Sequence, residues 1–191
     1  MKLFLFGQVG SGKTYVGELP RRRFGMPFYD ADWDLPEALR NAITAHQPVT
    51  EAMRTEFTAA IVRRISLLEQ GNQHFVIAQA LFKNRHREHL IQTFPDLTLV
   101  WVRSSPSVAS RRLHERVGHI ASSYYAELIN PGFEPPTHPH ALIENVQDSR
   151  QLVSNLAQLL CGATPKERHV NERDKHQPMQ RSRTHCLGVP F

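Results

Sequence analysis

The sequence has little of what marks secreted, metal-stabilised or membrane-spanning proteins. Its 191 residues include only two cysteines, Cys161 and Cys186, which predict neither a disulfide framework nor a zinc site. No apolar run approaches the roughly 20 residues that span a bilayer. The apolar start of the chain is too short for a signal peptide. We therefore expect a cytoplasmic protein that does not act at a membrane.

Net positive charge is also small outside the C-terminal segment. The formal net charge is +5, but residues 162–191 hold six Lys and Arg against three acidic residues, which leaves +2 for residues 1–161. So small a charge gives no electrostatic basis for nucleic-acid binding. Residues 162–191 also lack apolar periodicity. We expect one domain over residues 1–161 and a disordered basic tail over 162–191.

Short apolar runs alternate with helical patterns through residues 1–161, which is typical of a parallel sheet with crossover helices. Two runs are almost continuously hydrophobic, as expected for strands buried on both faces. The predicted strands are Lys2–Phe6, Pro27–Asp30, His74–Ala78, Leu97–Val102 and Ala141–Glu144. Helices are predicted over about Glu51–Gln70, from Pro106 to about Arg116, and after Asp148.

Several residues predict where helices begin and end. Thr50 is the expected N-cap of the long helix, and Gly71 is its expected C′ residue. A further helix can begin at Thr14, and Pro20 is expected to end or kink it near Leu19, because proline removes a backbone donor.

A glycine-rich motif follows the first predicted strand. It fits the phosphate-loop pattern G-x-x-x-x-G-K-S/T, and its residues are Gly7, Gln8, Val9, Gly10, Ser11, Gly12, Lys13 and Thr14. In a strand–turn–helix arrangement, backbone N–H groups of Gly7, Gly10, Ser11 and Gly12 surround phosphate oxygens at a helix N-terminus. Lys13 would contact the β- and γ-phosphates, and the Thr14 hydroxyl would bind Mg²⁺. The motif predicts a protein that binds ATP with Mg²⁺.

Two carboxylates, Asp30 and Asp32, lie at the end of the second predicted strand. The carboxyl ends of parallel strands meet at one edge of the sheet, beside the phosphate loop. We assign Asp30 to Mg²⁺, and Asp32 to accept a proton from a substrate hydroxyl. An exposed acidic turn without a catalytic role is the alternative. No carboxylate follows the strand that ends at Ala78, which argues against motor and transporter ATPases.

These motifs resemble the gluconokinase family of small P-loop kinases and, more distantly, shikimate kinases, over nearly all of residues 1–160. Asp30-Ala31-Asp32 resembles the family's D-G-D element. Residues 78–87, A-Q-A-L-F-K-N-R-H-R, are similar to its A-C-S-A-L-K-R-x-Y-R. Residues 112–120, R-L-H-E-R-V-G-H-I, are similar to its R-L-x-x-R-x-G-H-F. The resemblance implies a three-layer α/β P-loop NTPase fold, with a parallel five-stranded sheet, helices on both faces and a mobile lid over about 112–136.

The resemblance also implies roles for five cationic residues. Arg54, Lys83 and Arg87 would bind the substrate beside Asp32, and three cations around one pocket indicate an anionic substrate. The alternative is that some of them only balance the aspartates and the ATP phosphates. Arg112 and Arg116 share a helix face and would act catalytically as the lid closes over ATP. A solvated basic helix face is the alternative for this pair.

Departures from the family pattern cluster on the substrate side. Leu35 stands where the family has histidine, and Gln79 and Ala80 replace its cysteine and serine. We predict a kinase that transfers the γ-phosphate of ATP to a hydroxyl of a small metabolite, such as the sugar acid gluconate. A shikimate- or nucleoside-type kinase, or a P-loop protein without catalysis, remains an alternative. We expect a monomer or homodimer with a small-molecule substrate as its partner.

Overall fold

The computed structural model describes residues 1–115, 123–145 and 149–161. Within these ranges, five strands form one sheet in the order β2-β3-β1-β4-β5, and every neighbouring pair is parallel. The strands are β1 (Lys2–Phe6), β2 (Phe28–Asp30), β3 (Phe75–Ala78), β4 (Leu97–Arg103) and β5 (Ala141–Glu144). All five predicted strands are present, and the sheet topology confirms the predicted parallel fold.

Helices cover both faces of this sheet. Their bounds are α1 (Lys13–Phe24), α2 (Glu37–Thr44), α3 (Glu51–Gly71), α4 (Asn84–Thr93), α5 (Pro106–Glu115), α6 (Ser123–Ile129) and α7 (Ser149–Leu160). Short 3₁₀ turns lie at Ala31–Asp34 and Asn130–Gly132. Among the described residues, no helix has both the length and the apolar composition required to cross a membrane.

The central strand divides the apolar core into two layers. Alternate side chains of β1 point to opposite faces of the sheet. Phe4 and Phe6 pack in one cluster with residues of α3 and α4, whereas Leu3 and Leu5 pack in another with residues of α1 and α7. The result is the three-layer arrangement that the sequence predicted.

Two helix ends differ from the sequence-based expectations. Of the two outcomes expected at Pro20, an end of the helix near Leu19 or a kink there, the first is wrong, because α1 continues through Pro20 to Phe24. A proline inside a helix removes one hydrogen bond, but Pro20 is itself buried, and packing compensates for that loss. Gly71 is the last residue of α3 and not a left-handed C′ residue. The C-cap of α3 is Asn72, which has an extended conformation. Thr50 caps α3 as predicted, since its side chain accepts a hydrogen bond from the N–H of Met53.

Two predicted segments lie wholly or partly outside the described residues. The whole of the expected tail over 162–191 lies outside them, as do residues 116–122 of the expected lid. The described part of that lid segment contains α6 and the 3₁₀ turn at Asn130–Gly132. The tail, and a lid over about 112–136, therefore stay predictions.

Candidate active site

The glycine-rich motif forms the turn between β1 and α1. Gly10 and Gly12 have φ angles of 90° and 86°, in the left-handed region that favours glycine. A Cβ atom added at Gly12 would lie 2.2 Å from the Asn145 amide nitrogen and 3.0 Å from the Arg112 guanidinium. Gly12 is also the N-cap of α1, so the loop ends at a helix N-terminus, where the helix dipole favours anions.

Polar side chains of the loop are arranged as a phosphate site requires. Lys13 Nζ donates hydrogen bonds to the carbonyl oxygens of Gly7 (3.1 Å) and Gln8 (2.9 Å). Ser11 Oγ is buried and has no hydrogen-bond partner among the described residues. A buried hydroxyl without a partner is costly, so a bound phosphate oxygen would stabilise it. The residues of this loop therefore fit a nucleoside triphosphate.

Asp30 lies at the end of β2, opposite the first turn of α1. Thr14 Oγ1 donates to Asp30 Oδ2 at 2.9 Å, and the N–H of Asp32 donates to Asp30 Oδ1 at 3.1 Å. Burial, together with the nearby charge of Asp32, raises the pKa of the Asp30 carboxyl. A carboxylate and a hydroxyl in contact beside a phosphate loop are oxygen ligands of the kind that Mg²⁺ prefers. Thr14 and Asp30 can therefore hold the ion together with ATP.

Asp32 lies in the 3₁₀ turn Ala31–Asp34 after β2, and it is held by a residue that the sequence did not identify as part of the site. Gln79 Nε2 donates to Asp32 Oδ1 at 2.8 Å. Gln79 follows β3, the strand next to β2 in the sheet. The structure brings Asp30, Asp32 and Gln79 to the carboxyl edge of the sheet, as the topology of parallel strands requires.

One cavity of about 140 Å³ joins the phosphate loop to these carboxylates. Lys13, Thr14, Asp30, Asp32 and Gln79 are its polar lining residues. Its apolar wall comes from α2, α3, α6 and the segment after β3, and includes Leu39, Phe57, Phe82 and Tyr125. Thus a second substrate in this cavity would lie beside both Asp32 and the loop that can bind ATP.

Arg54 is the predicted substrate cation whose surroundings best suit an anion. Its guanidinium lies 5.8 Å from the ring centre of Phe82, which lines the cavity. Arg54 is half-buried, and this burial lowers its pKa. Within the described part of the chain it has no hydrogen-bonding or ion-pair partner for its side chain. Lys83, by contrast, forms an ion pair with Glu134 at 3.0 Å.

The structure places Arg87, a predicted substrate residue, among protein acceptors and away from the cavity lining. Arg87 is fully buried and does not line the cavity. Its guanidinium donates to the carbonyl oxygens of Leu81 and Glu134, each at 2.6 Å. It also donates to Asn84 Oδ1 at 2.6 Å and to His138 Nε2 at 3.1 Å. These protein acceptors use its donors, so Arg87 ties α4 to residues 134–138.

Arg112 lies beside the phosphate loop, as its predicted role requires. Arg112 Nη1 is 3.4 Å from the carbonyl oxygen of Ser11, and Nη2 is 3.4 Å from Asn145 Oδ1. Asn145 follows β5, is buried, and donates to the same Ser11 carbonyl at 2.8 Å. Asn145 is a site residue that was not predicted from the sequence, although a polar residue directly after a buried strand marks the same sheet edge. The other predicted lid arginine, Arg116, lies outside the described residues.

Asn130 joins the described part of the predicted lid to the phosphate loop. Its side-chain amide accepts a hydrogen bond from the N–H of Val9 at 2.9 Å and donates one to the carbonyl oxygen of Val9 at 3.0 Å. Nothing in the sequence near Asn130 indicates this contact, because its partner lies 121 residues away.

Comparisons with known proteins indicate a small-molecule kinase, although no family model matches the chain. The chain is 28% identical over 159 residues to a protein of Xenopus tropicalis described as a probable gluconokinase, covering 75% of this chain and 83% of the relative. A gluconokinase structure from Sinorhizobium meliloti 1021 matches with a TM-score of 0.68 and 25% identity, over 84% of this chain and 94% of that one. A sugar kinase structure from Janibacter sp. HTCC2649 matches with a TM-score of 0.72 at 18% identity, over 86% and 95%, which supports the fold alone.

The fold, the phosphate loop and these relatives define a P-loop kinase, a nucleotide-dependent enzyme that phosphorylates a hydroxyl group of a small molecule. Within that class, the protein is a gluconokinase-like small P-loop kinase.

Proposed function

We propose that the protein transfers the γ-phosphate of ATP to a hydroxyl group of a sugar acid, with gluconate as the first candidate. The observation that carries this proposal is the half-buried Arg54 beside the cavity, which has no hydrogen-bonding or ion-pair partner in the described ranges. A substrate carboxylate would supply that partner, since a carboxylate can accept two parallel hydrogen bonds from a guanidinium. The names of the relatives point to the same substrate class.

The loop residues would bind and orient ATP. Amide groups at the N-terminus of α1 and the Lys13 ammonium would contact the β- and γ-phosphates. Arg112 would contribute positive charge beside the loop, close to the Ser11 carbonyl. Thr14 and Asp30 would hold Mg²⁺, whose charge stabilises the phosphates as they transfer.

Asp32 would act as the general base. It lies in the same cavity as Lys13 and Thr14, so a hydroxyl bound next to it is close to the phosphate site. The carboxylate would accept the hydroxyl proton as that oxygen forms its bond to the γ-phosphorus and the bond to ADP breaks. Leu39, Phe57 and Phe82 line the cavity and would exclude water from the reacting groups.

Steady-state kinetics with a substrate panel test this proposal. Wild type should phosphorylate gluconate with higher kcat/KM than sorbitol, glucose, shikimate or a nucleoside. In Arg54→Met, the loss of a charge-assisted contact should raise KM for gluconate about 10- to 100-fold and leave KM for ATP within about twofold. Arg63→Met is the matched control, because Arg63 is exposed on the same helix.

Two results would contradict the sugar-acid proposal. A neutral polyol, or a nucleoside, could prove the better substrate for wild type. Alternatively, Arg54→Met could weaken gluconate and ATP equally, which would mean that Arg54 does not act on the acid group.

A further inference from the structure

Gln79 occupies a position from which it controls the geometry of Asp32. Its side chain is 7% exposed, and its backbone N–H pairs with the carbonyl oxygen of Leu5 at 3.0 Å, which continues the sheet pairing beyond β3. The side-chain amide has a protein partner at each end. Nε2 donates to Asp32 Oδ1 at 2.8 Å, and Oε1 accepts a hydrogen bond from the N–H of Ala80.

These two partners fix which way the amide points. The backbone N–H of Ala80 can only donate, so the atom facing it must be the amide oxygen. The carboxylate of Asp32 can only accept when it is ionised, so the atom facing it must be the amide nitrogen. A flipped amide would place oxygen against carboxylate and NH₂ against N–H, which makes neither hydrogen bond. The orientation therefore follows from the partners, without a choice between two equivalent fits.

The hydrogen bond engages one Asp32 oxygen and leaves the other available. Within the described residues, Oδ2 of Asp32 has no hydrogen-bond partner. Asp30 lies two residues away, and its carboxylate would repel that of Asp32. Without a donor at Oδ1, the carboxylate could rotate away from the cavity. With the donor in place, Oδ2 stays beside the cavity, where a substrate hydroxyl would bind.

We propose that Gln79 is the positioning residue of the phosphoryl-acceptor side, holding Asp32 so that Oδ2 faces the reacting hydroxyl. This inference rests on the proposed role of Asp32 as the base. Gln79 lines the same cavity, but its role here is to hold Asp32 through this hydrogen bond, and it transfers no proton. Positional errors of about 1 Å in a catalytic group lower rates roughly 100-fold, so loss of this hydrogen bond should lower kcat more than it raises KM.

A double-mutant cycle tests this role. The substrate is whichever member of the panel wild type phosphorylates best, so the cycle remains informative if that substrate is not gluconate. Gln79→Met keeps the length of the side chain and removes the amide. It should lower kcat about tenfold or more, with KM for the acceptor and for ATP within about threefold. In the Asp32→Asn background, the same substitution should change kcat by less than about twofold, because there is no base left to position.

Matched variants separate this role from a general loss of stability. Gln151→Met makes the same chemical change at an exposed glutamine of α7 and should leave kcat unchanged. If Gln79→Met does not give folded protein, Gln79→Glu replaces it in the same cycle. Gln79→Glu keeps the acceptor for the Ala80 N–H but removes the donor to Asp32, so kcat should again fall in the wild-type background only.

The outcomes distinguish this inference from the function on which it rests. If Asp32→Asn alone leaves kcat nearly unchanged, Asp32 is not the base, and both proposals lose their common step. If Asp32→Asn lowers kcat severely and Gln79→Met lowers it further by the same factor as in the wild-type background, Gln79 acts independently of Asp32. The positioning role would then be wrong. A rise in acceptor KM with kcat unchanged would also overturn it, because it would make Gln79 a binding residue only.

Discussion

Replacing Arg87 with methionine should destabilise the protein without weakening substrate binding. The guanidinium is fully buried and donates to two backbone carbonyls, an asparagine side chain and a histidine ring. It also lies 4.8 Å and 5.2 Å from the ring centres of Phe6 and Phe133. Burial lowers the pKa of Arg87 to about 10, so the group is still charged at pH 7. Methionine fills a similar volume but satisfies none of these acceptors.

The expected loss follows from the acceptors left behind. Hydrogen bonds from charged donors each contribute about 1.5–3 kcal/mol, and breaking a buried charged cluster typically costs about 3–5 kcal/mol. We expect the free energy of unfolding to fall by about 4 kcal/mol, or roughly 8–16 °C in Tm for a protein of this size. Urea unfolding at pH 7 measures the change. Arg85→Met, on the exposed face of the same helix, should cost less than about 1 kcal/mol.

Kinetics on the folded fraction complete the Arg87 experiment. KM for the acceptor should stay within about threefold of wild type at a temperature where the variant is folded. If Arg87→Met is as stable as wild type and KM for the acceptor rises tenfold, the guanidinium binds substrate after all. Our reasoning from its buried hydrogen bonds would then be refuted.

Two further predictions concern the phosphate loop and the pH dependence of folding. Lys13→Ala should abolish phosphoryl transfer, because the loop loses the ammonium that would span the β- and γ-phosphates; activity within about threefold of wild type would contradict the loop assignment. Burial, followed by the charges of Arg85 and Arg54, lowers the pKa of His86 from 6.5 to about 4, so its contribution to stability is complete above pH 6.5 and declines as pH falls towards 4. The Glu51 carboxylate, 2.7 Å from His86 Nε2, offsets part of this decline, so urea unfolding should show at most about 2 kcal/mol less stability at pH 5 than at pH 7 from this residue, and His86→Gln should remove that share of the difference.

The fold was largely predictable because its signals are local. Strands buried on both faces read as continuous apolar runs, and those runs match β3 and β4 to within one residue. The path of α1 through Pro20 was not predictable in this way. A local rule ends the helix there, but burial of Val16, Gly17 and Pro20 against the rest of the protein keeps it intact. Packing between distant segments overrides local propensity at this point.

The nucleotide side of the site was predictable for a related reason. The phosphate loop is a contiguous motif, and Asp30 is the last residue of β2, whose pairing with β3 fixes the place of Asp30 at the sheet edge. The 2.9 Å contact between Thr14 and Asp30 is therefore a consequence of topology as well as of motif. Gln79 and Asn145 follow β3 and β5 at the same edge, so the topology could have identified them. In the sequence alone, Gln79 stands out only as a departure from a family pattern.

The substrate side was less predictable because spacing does not decide which cations face the cavity. Lys83 and Arg87 are four residues apart, which suggests a shared face turned toward one ligand. Both are instead engaged by residues 134–138, about 50 positions later, through the carboxylate of Glu134, its backbone carbonyl and the ring of His138. Arg54 is on a different helix, and nothing in that segment pairs with it. Because a half-buried guanidinium without an acceptor is unfavourable, the missing acceptor is best supplied by the substrate, and the anionic group of that substrate should bind at Arg54.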